Sequence, residues 1–167
     1  LTVDMDPVIE NGHIGLSSMM GDMMSAGTST RTKSQIDESI DYVGASFYTY
    51  STGFYFSSLS KHTASVLEIA SDVLLNPVFP ENELEKKKKR ELSGLKSLKT
   101  NPSAIASRVE KVLKYGKNHP YGEVEKTEDV SNISTDLCKE YYETYFRPNI
   151  SYLIIVGDID LKKSKSL

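Results

Sequence analysis

Residues 15–28, GLSSMMGDMMSAGT, are the stretch on which the fold assignment of this chain depends. Apolar side chains recur there at helical spacing, and Gly27 stands where a helix commonly ends. The apolar positions are Leu16, Met19, Met20, Met23 and Met24. The opposite side carries Ser18, Gly21 and Asp22. The stretch therefore predicts an amphipathic helix whose polar side is either ordinary surface or the place of a functional site.

The chain on either side of this helix predicts an α+β fold. A second helix begins after Thr32, which can form a capping box with Gln35. The alternating aromatic and hydroxyl residues that follow predict a hairpin with strands near 45–50 and 54–60. The remaining predicted elements are four helices near 62–75, 81–99, 103–115 and 135–146 and a central, buried strand in 151–160. This order indicates helices layered on an antiparallel or mixed sheet.

Composition limits the class of protein. The chain has 167 residues, 38% hydrophobic and 26% charged, which suits a single globular domain over residues 1–160 followed by a linker at 161–167. A net charge of -3 gives no reason to expect a nucleic acid partner. No apolar run is long enough to span a membrane. Both ends of the sequence look truncated, so we expect this chain to be a piece of a longer one.

Residues that often carry chemistry are few and scattered. His13, His62 and His119 lie far apart, whereas a helical zinc site needs two ligands one turn apart. The single cysteine, Cys138, has no nearby histidine and excludes an internal disulfide. Residues 85–91, EKKKKRE, predict a solvated helix surface rather than a binding stripe, because four consecutive lysines wrap around the helix.

Two apolar features leave alternatives open. The methionines of the first helix predict core packing, although a methionine-rich stripe can also be an adaptable binding face that needs outside cover. Tyr48, Tyr50 and Tyr55 of the hairpin are either an exposed aromatic surface for peptides or ordinary cross-strand pairs. The residues alone thus indicate a soluble α+β domain without an evident active site.

Taken in order, the motifs resemble the insulinase/pitrilysin-type zinc metallopeptidases, the family that includes mitochondrial processing peptidase. The resemblance runs through GLSSMMGDMMSAGT (15–28), IDYVGASFYTYSTGFYFSSLS (40–60), ASDVLLNPVFPENELEKKKKRELSGLKSLKTNPSAIA (70–106), YGKNHPYG (115–122) and YYETYFRPNISYLIIVGDID (141–160). Each motif is weak alone, but the ordered set is specific.

The resemblance implies an empty zinc site. Active members carry His-x-x-Glu-His on the first helix: the two histidines bind zinc and the glutamate is the general base. In the register set by the ends of residues 15–28, Ser18 and Asp22 take the histidine positions and Gly21 takes that of the base. Gly94 takes the position of the third ligand. The resemblance therefore implies no catalytic residue, no metal and no cofactor in this domain.

The resemblance implies that this chain is a domain of a non-catalytic, zinc-free half. Family members close around an unfolded or extended peptide as two halves, and the zinc-bearing half would lie on the same or another chain. Two other functions stay open: a scaffold subunit unrelated to proteolysis, and an active metallopeptidase with substituted ligands. Enzymatic activity is thus undecided. The compartment is unknown, with the periplasm or cell envelope of a bacterium suggested only by analogy.

Overall fold

Helices account for most of the secondary structure of this chain. The computed structural model describes residues 1–158 together with Lys162 and Ser164. Its helices are α1 (Leu16–Met24), α2 (Lys33–Tyr42), α3 (Thr63–Leu75), α4 (Glu81–Leu98), α5 (Pro102–Tyr115), α6 (Thr127–Asn132) and α7 (Thr135–Tyr145). Its strands are β1 (Thr2–Val3), β2 (Ser46–Tyr50), β3 (Gly53–Ser57) and β4 (Ser151–Tyr152). Short 3-10 turns occur at Ser60–His62, Pro120–Gly122 and Pro148–Ile150.

Side-chain caps fix the starts of several helices. At α2, Thr32 Oγ1 accepts the Gln35 amide and Gln35 Oε1 accepts the Thr32 amide at 2.8 Å, which is the predicted capping box. Asn101 caps α5 by accepting the amide of Ala104, directly before a proline that suits the first helical position. Such local signals explain why the sequence predicts these helix starts to within a residue or two.

The strands form one antiparallel sheet in the order β2-β3-β1-β4, so the α+β prediction is confirmed and the sheet is antiparallel throughout its described part. The hairpin pairs Phe47 with Phe56 and Tyr48 with Tyr55. Because side chains alternate along a strand, the phenylalanines face the helices and the tyrosines face the other side. Phe54 is almost fully buried on the inner face.

The core lies between the sheet and the helices and is built around α1. Met19, Met20, Met23 and Met24 are each at most 5% exposed. They pack with Ile36, Val66, Val73, Leu84, Leu95, Val130, Ile133 and Cys138. The methionine stripe is therefore core, and the idea that it needs cover from outside the chain is wrong.

Two elements differ from the sequence-based predictions. The predicted buried strand in 151–160 is wrong: of its described residues 151–158, only Ser151–Tyr152 pairs, at a sheet edge, and Leu153–Val156 are exposed. β4 stops there because its neighbour β1 is only two residues long. Helix α6 lies between the predicted helices near 103–115 and 135–146, where no helix was predicted. Helix α5 forms as predicted, with an exposed apolar side.

The limits of the domain stay a prediction. Most of the predicted linker at 161–167, and the last two residues of the predicted strand, lie outside the described residues. No helix in the described part of the chain is long and apolar enough to cross a membrane.

Candidate functional site

The polar side of α1 divides into two environments. Ser18 and Asp22 lie one turn apart and are exposed, as the sequence predicts. Gly21 is buried, so its prediction as part of the same polar surface is wrong. The three residues that the resemblance places at the zinc-binding and base positions therefore do not share one open face.

Gly21 is buried because the β2–β3 turn rests on it. A Cβ atom at Gly21 would overlap the backbone of Tyr50 and the amide nitrogen of Ser51. Backbone atoms cannot rotate away as a side chain can, so only glycine permits this approach. The space from which a catalytic glutamate would project is filled by the turn.

Asp22 is engaged by a lysine of α4. Its Oδ2 atom forms an ion pair with Lys87 Nζ, and both side chains remain partly exposed. An exposed ion pair of this kind adds little stability, but it directs the carboxylate toward a cation. Asp22 thus has a protein partner at the position that the resemblance assigns to a metal ligand.

Gly94 lies on the same side of α4 as Lys87. Seven residues are two helical turns, so the two positions lie about 10.5 Å apart along the helix. Gly94 is exposed, and a Cβ added to it would meet nothing within 4 Å. The structure therefore joins Asp22 to α4 through Lys87, while Gly94 contributes no donor atom.

The remaining charges of residues 85–91 match the predicted solvated surface only in part. Lys86 pairs with Glu83 at 2.6 Å and Lys88 with Glu85 at 3.2 Å, each within α4. Lys88 Nζ also reaches the carbonyl oxygen of Ser131 at 3.4 Å. The pair of Lys86 with Glu83 is that of a solvated helix surface, whereas the Lys88 side chain is mostly buried and packs toward α6.

The histidines and the cysteine show no catalytic arrangement. His119 caps a 3-10 turn, with Nδ1 accepting the Tyr121 amide at 3.1 Å. Burial raises the pKa of the Cys138 thiol to about 11, so it is protonated at neutral pH and a poor nucleophile. Among the described residues, no three His, Cys, Asp or Glu side chains are grouped so that they could hold a metal ion.

A group of carboxylates that was not predicted from the sequence lies at the start of α1. Glu10 accepts the amides of Gly15 at 2.6 Å and Ser17 at 2.7 Å, and so caps the helix. Glu123 accepts the amides of Glu10 and Asn11 at about 3 Å. Glu10 and Glu123 are more than a hundred residues apart, so no local pattern in the sequence could join them.

This group borders a cavity of about 300 Å³. Its walls include Glu10, Ile14 and Ser17 at the start of α1, Ser51 and Thr52 of the β2–β3 turn, and Met5, Asp6, Pro7, Val8, Pro120, Glu123 and Tyr141. Ser17 is one residue from Ser18, so the cavity is adjacent to the positions that the resemblance assigns to zinc chemistry.

The outer face of the sheet carries exposed tyrosines. Tyr48 and Tyr55 pair across the hairpin and are each more than half exposed. The register places Tyr50 and Tyr152 on the same face. Tyr48 and Tyr55 therefore form a cross-strand pair that is also exposed, while a role of this surface in binding peptides stays a prediction.

Residues 9–119 match the protein-family model described as Insulinase (Peptidase family M16). Similar curated proteins include the uncharacterized zinc protease YmxG of Bacillus subtilis, 26% identical over 151 residues and 87% of this chain. An uncharacterized zinc protease of Rickettsia felis is 26% identical over 155 residues, 89% of this chain. The chain spans 37% of the length of each of these two relatives.

Solved structures share the fold. A protease from Helicobacter pylori superimposes with a TM-score of 0.81 at 15% identity, covering 99% of this chain and 41% of that one. The first half of the periplasmic protease PqqL from Escherichia coli gives 0.76 at 19%, covering 99% and 38%. A peptidase M16 inactive domain from Pseudomonas fluorescens gives 0.70 at 22%, covering 80% and 34%. These similarities confirm the predicted architecture.

Proposed function

Since this chain belongs to the insulinase family of peptidases, M16, we propose that it is a non-catalytic, zinc-free domain of a larger peptidase assembly. In this role it helps to enclose an extended peptide and supports a half that carries the zinc. The domain itself contributes no general base and no metal ligand.

The observation that carries the proposal is the contact between Gly21 and the β2–β3 turn. A glutamate at this position would have to displace the backbone of Tyr50 and Ser51 before its carboxylate could face a substrate. The neighbouring positions support the same conclusion. Ser18 is a poor zinc ligand, Asp22 is paired with Lys87, and Gly94 has no side chain.

The peptide-binding part of the proposal rests on the sheet. β2 is the edge strand of the described sheet on the side of the hairpin, and it packs against α1. An extended peptide can add to such an edge through main-chain hydrogen bonds, with little demand on its sequence. Tyr48 and Tyr50 on the outer face of β2 offer aromatic contacts to alternate side chains of the peptide.

The partner part of the proposal rests on length. Relatives named zinc proteases are more than twice as long as this chain, which leaves room in such proteins for a further domain and a catalytic half. We place that half either on the same chain or on a separate subunit. We place the protein in the periplasm or cell envelope of a bacterium by analogy with a structural neighbour whose name describes it as a periplasmic protease.

Metal content tests the proposal directly. After incubation with zinc and dialysis, elemental analysis of the purified protein is expected to find far less than one zinc per chain. An M16 peptidase with an intact His-x-x-Glu-His motif, treated in parallel, is the control and should retain about one zinc per chain. A stoichiometric, tightly held zinc in this protein would overturn the proposal and favour an active metallopeptidase with substituted ligands.

A further inference from the structure

Residues 117–126, which we call the strap, join α5 to α6 and cross the start of α1. We propose that the strap is a pH-sensitive latch on the cavity beside α1, closed while the Glu125 carboxyl is protonated and released when it ionises. The latch would operate whether or not the proposed peptidase role holds.

The strap is held down by backbone contacts at the start of α1. Glu123 accepts the amides of Glu10 at 3.0 Å and Asn11 at 3.1 Å. Just after the strap, Asn132 Nδ2 donates to the carbonyl of Gly12 at 3.4 Å. These contacts join two segments more than a hundred residues apart, and all of them are near the protein surface. Such a segment can open locally without global unfolding.

The strap forms one wall of the cavity. Pro120 and Glu123 line it from the strap, and Glu10 and Ser17 line it at the start of α1. Because Glu123 also makes the hydrogen bonds that hold the strap, its release would remove both the wall and the clamp. Opening of the strap therefore changes access to the cavity of about 300 Å³.

Glu125 lies at the point where the strap crosses Gly15. Gly15 has a φ of 102°, and a Cβ there would overlap Glu125 Oε1. The carboxyl group is thus pressed against the helix start with no room for a side chain between them. Arg108 of α5 donates to the Glu125 backbone carbonyl at 3.3 Å, rather than to its carboxylate.

The charges around Glu125 come from four elements. The carboxylates of Glu91 on α4, Asp129 on α6 and Glu10 in the loop before α1 repel its ionised form, whereas the guanidinium of Arg108 on α5 attracts it. Asp129 is itself buried and caps the Lys126 amide at 2.9 Å. Three carboxylates against one guanidinium make an ionised Glu125 unfavourable in the closed position.

Burial, followed by the Glu91 carboxylate, raises the pKa of Glu125 to about 7 from an ordinary value of 4.5. The closed strap therefore binds the Glu125 proton more tightly than an open strap exposed to water. An open strap would leave Glu125 with its ordinary pKa of 4.5, so protonation stabilises closure fully below about pH 4.5, and this contribution is lost as the pH rises to about 7. Closure is therefore weaker at neutral and alkaline pH, where the closed state would hold an ionised carboxylate among like charges.

Hydrogen exchange on the intact chain tests the latch. The amides of Glu10 and Asn11 report closure, because the strap carboxylate of Glu123 protects them. Their protection factors, corrected for the intrinsic pH dependence of exchange, are expected to fall at least about tenfold between pH 5.5 and 8.5. In Glu125→Gln, which cannot ionise, they are expected to stay level across the same range.

Two further variants make the result decisive. Glu110→Gln, which removes an exposed carboxylate of α5 away from the group, should behave like the wild type. Glu91→Gln should move the fall in protection to lower pH, and it tests the latch even if Glu125→Gln does not fold. Level protection in the wild type, or a fall in Glu125→Gln as large as in the wild type, would overturn the proposal.

Discussion

At the scale of single residues, two glycines of this chain have opposite roles although both lie inside helices. Gly21 permits the β2–β3 turn to rest on α1, whereas nothing within 4 Å would contact a Cβ at Gly94. The family resemblance places both at positions of lost chemistry, but only Gly21 is required by the fold. The sequence alone does not reveal that the fold requires glycine at position 21 and not at position 94.

We expect Gly21→Ala to lower the free energy of unfolding by about 1–3 kcal/mol, because the added methyl overlaps backbone atoms. Gly94→Ala is the matched control and should raise it by about 0.5–1 kcal/mol, since alanine favours an exposed helix interior. Urea denaturation of both variants measures the difference. Equal or greater stability of Gly21→Ala would show that the turn does not rest on α1.

A second residue-scale feature is the carboxylate of Asp72, which links α3 to the loop before α2. Its own burial raises its pKa, but hydrogen bonds from Thr28, Thr30, Arg31 and Asn76 outweigh this and lower the pKa to about 2 from 3.8. The shortest contacts are 2.6 Å from Arg31 and 2.7 Å from Thr28. The ionised form of Asp72 is therefore favoured by folding.

A folded-state pKa below the unfolded value gives stability that is present above about pH 4 and lost as the pH falls toward 2. We expect Asp72→Asn to cost about 2 kcal/mol at neutral pH and progressively less between pH 4 and 2. Asp37→Asn, which removes an exposed partner of Lys33, should cost less than about 0.5 kcal/mol. A penalty at Asp72 that does not change with pH would contradict this account.

At the scale of elements, the sequence predicted those parts that local signals determine. These signals lie within a few residues of the feature they predict: the capping box at Thr32, the proline after Asn101 and the apolar periodicity of α1. Helix α6 was not predicted, because its six residues, TEDVSN, show no apolar periodicity. The failed strand in 151–160 has a different cause, since pairing depends on a distant partner and β1 offers only two residues.

Helix α5 shows that local signals do not predict packing. Its apolar periodicity correctly predicts a helix, but it does not indicate whether a neighbouring element covers the apolar side. Leu113 is 81% exposed, whereas Leu84 of α4 is fully buried. Within the described residues, α5 packs mainly against the turn Pro120–Gly122.

These two leucines give an element-scale prediction. Leu84→Ala should lower the free energy of unfolding by about 2–5 kcal/mol, because it leaves a cavity in the core. Leu113→Ala should change it by no more than about 0.5 kcal/mol, because little contact is lost. Thermal or urea unfolding of this chain compares them directly. A comparable cost at both positions would show that the apolar side of α5 is covered.

At the scale of the whole molecule, the site could be predicted only in part. The resemblance names Ser18, Gly21, Asp22 and Gly94 as positions without zinc chemistry, and that prediction awaits metal analysis. Two contacts could not be predicted from the sequence, because they join elements distant in the chain: the ion pair of Asp22 with Lys87 and the contact of the turn with Gly21. The grouping of the carboxylates beside the cavity could not be predicted for the same reason.

The proposed assembly predicts how this domain binds peptide. Pairing along the edge strand β2 gives few contacts, so we expect the chain alone to bind a fluorescent unfolded peptide weakly, and more tightly when a zinc-bearing M16 half is present. The net charge of -3 is modest, so added salt should weaken the assembly only slightly. Titration of the peptide with each component alone and with both together separates these contributions. Tight binding by this chain alone would contradict the shared enclosure and identify an independent peptide-binding module, because no contact with a catalytic half would then be needed.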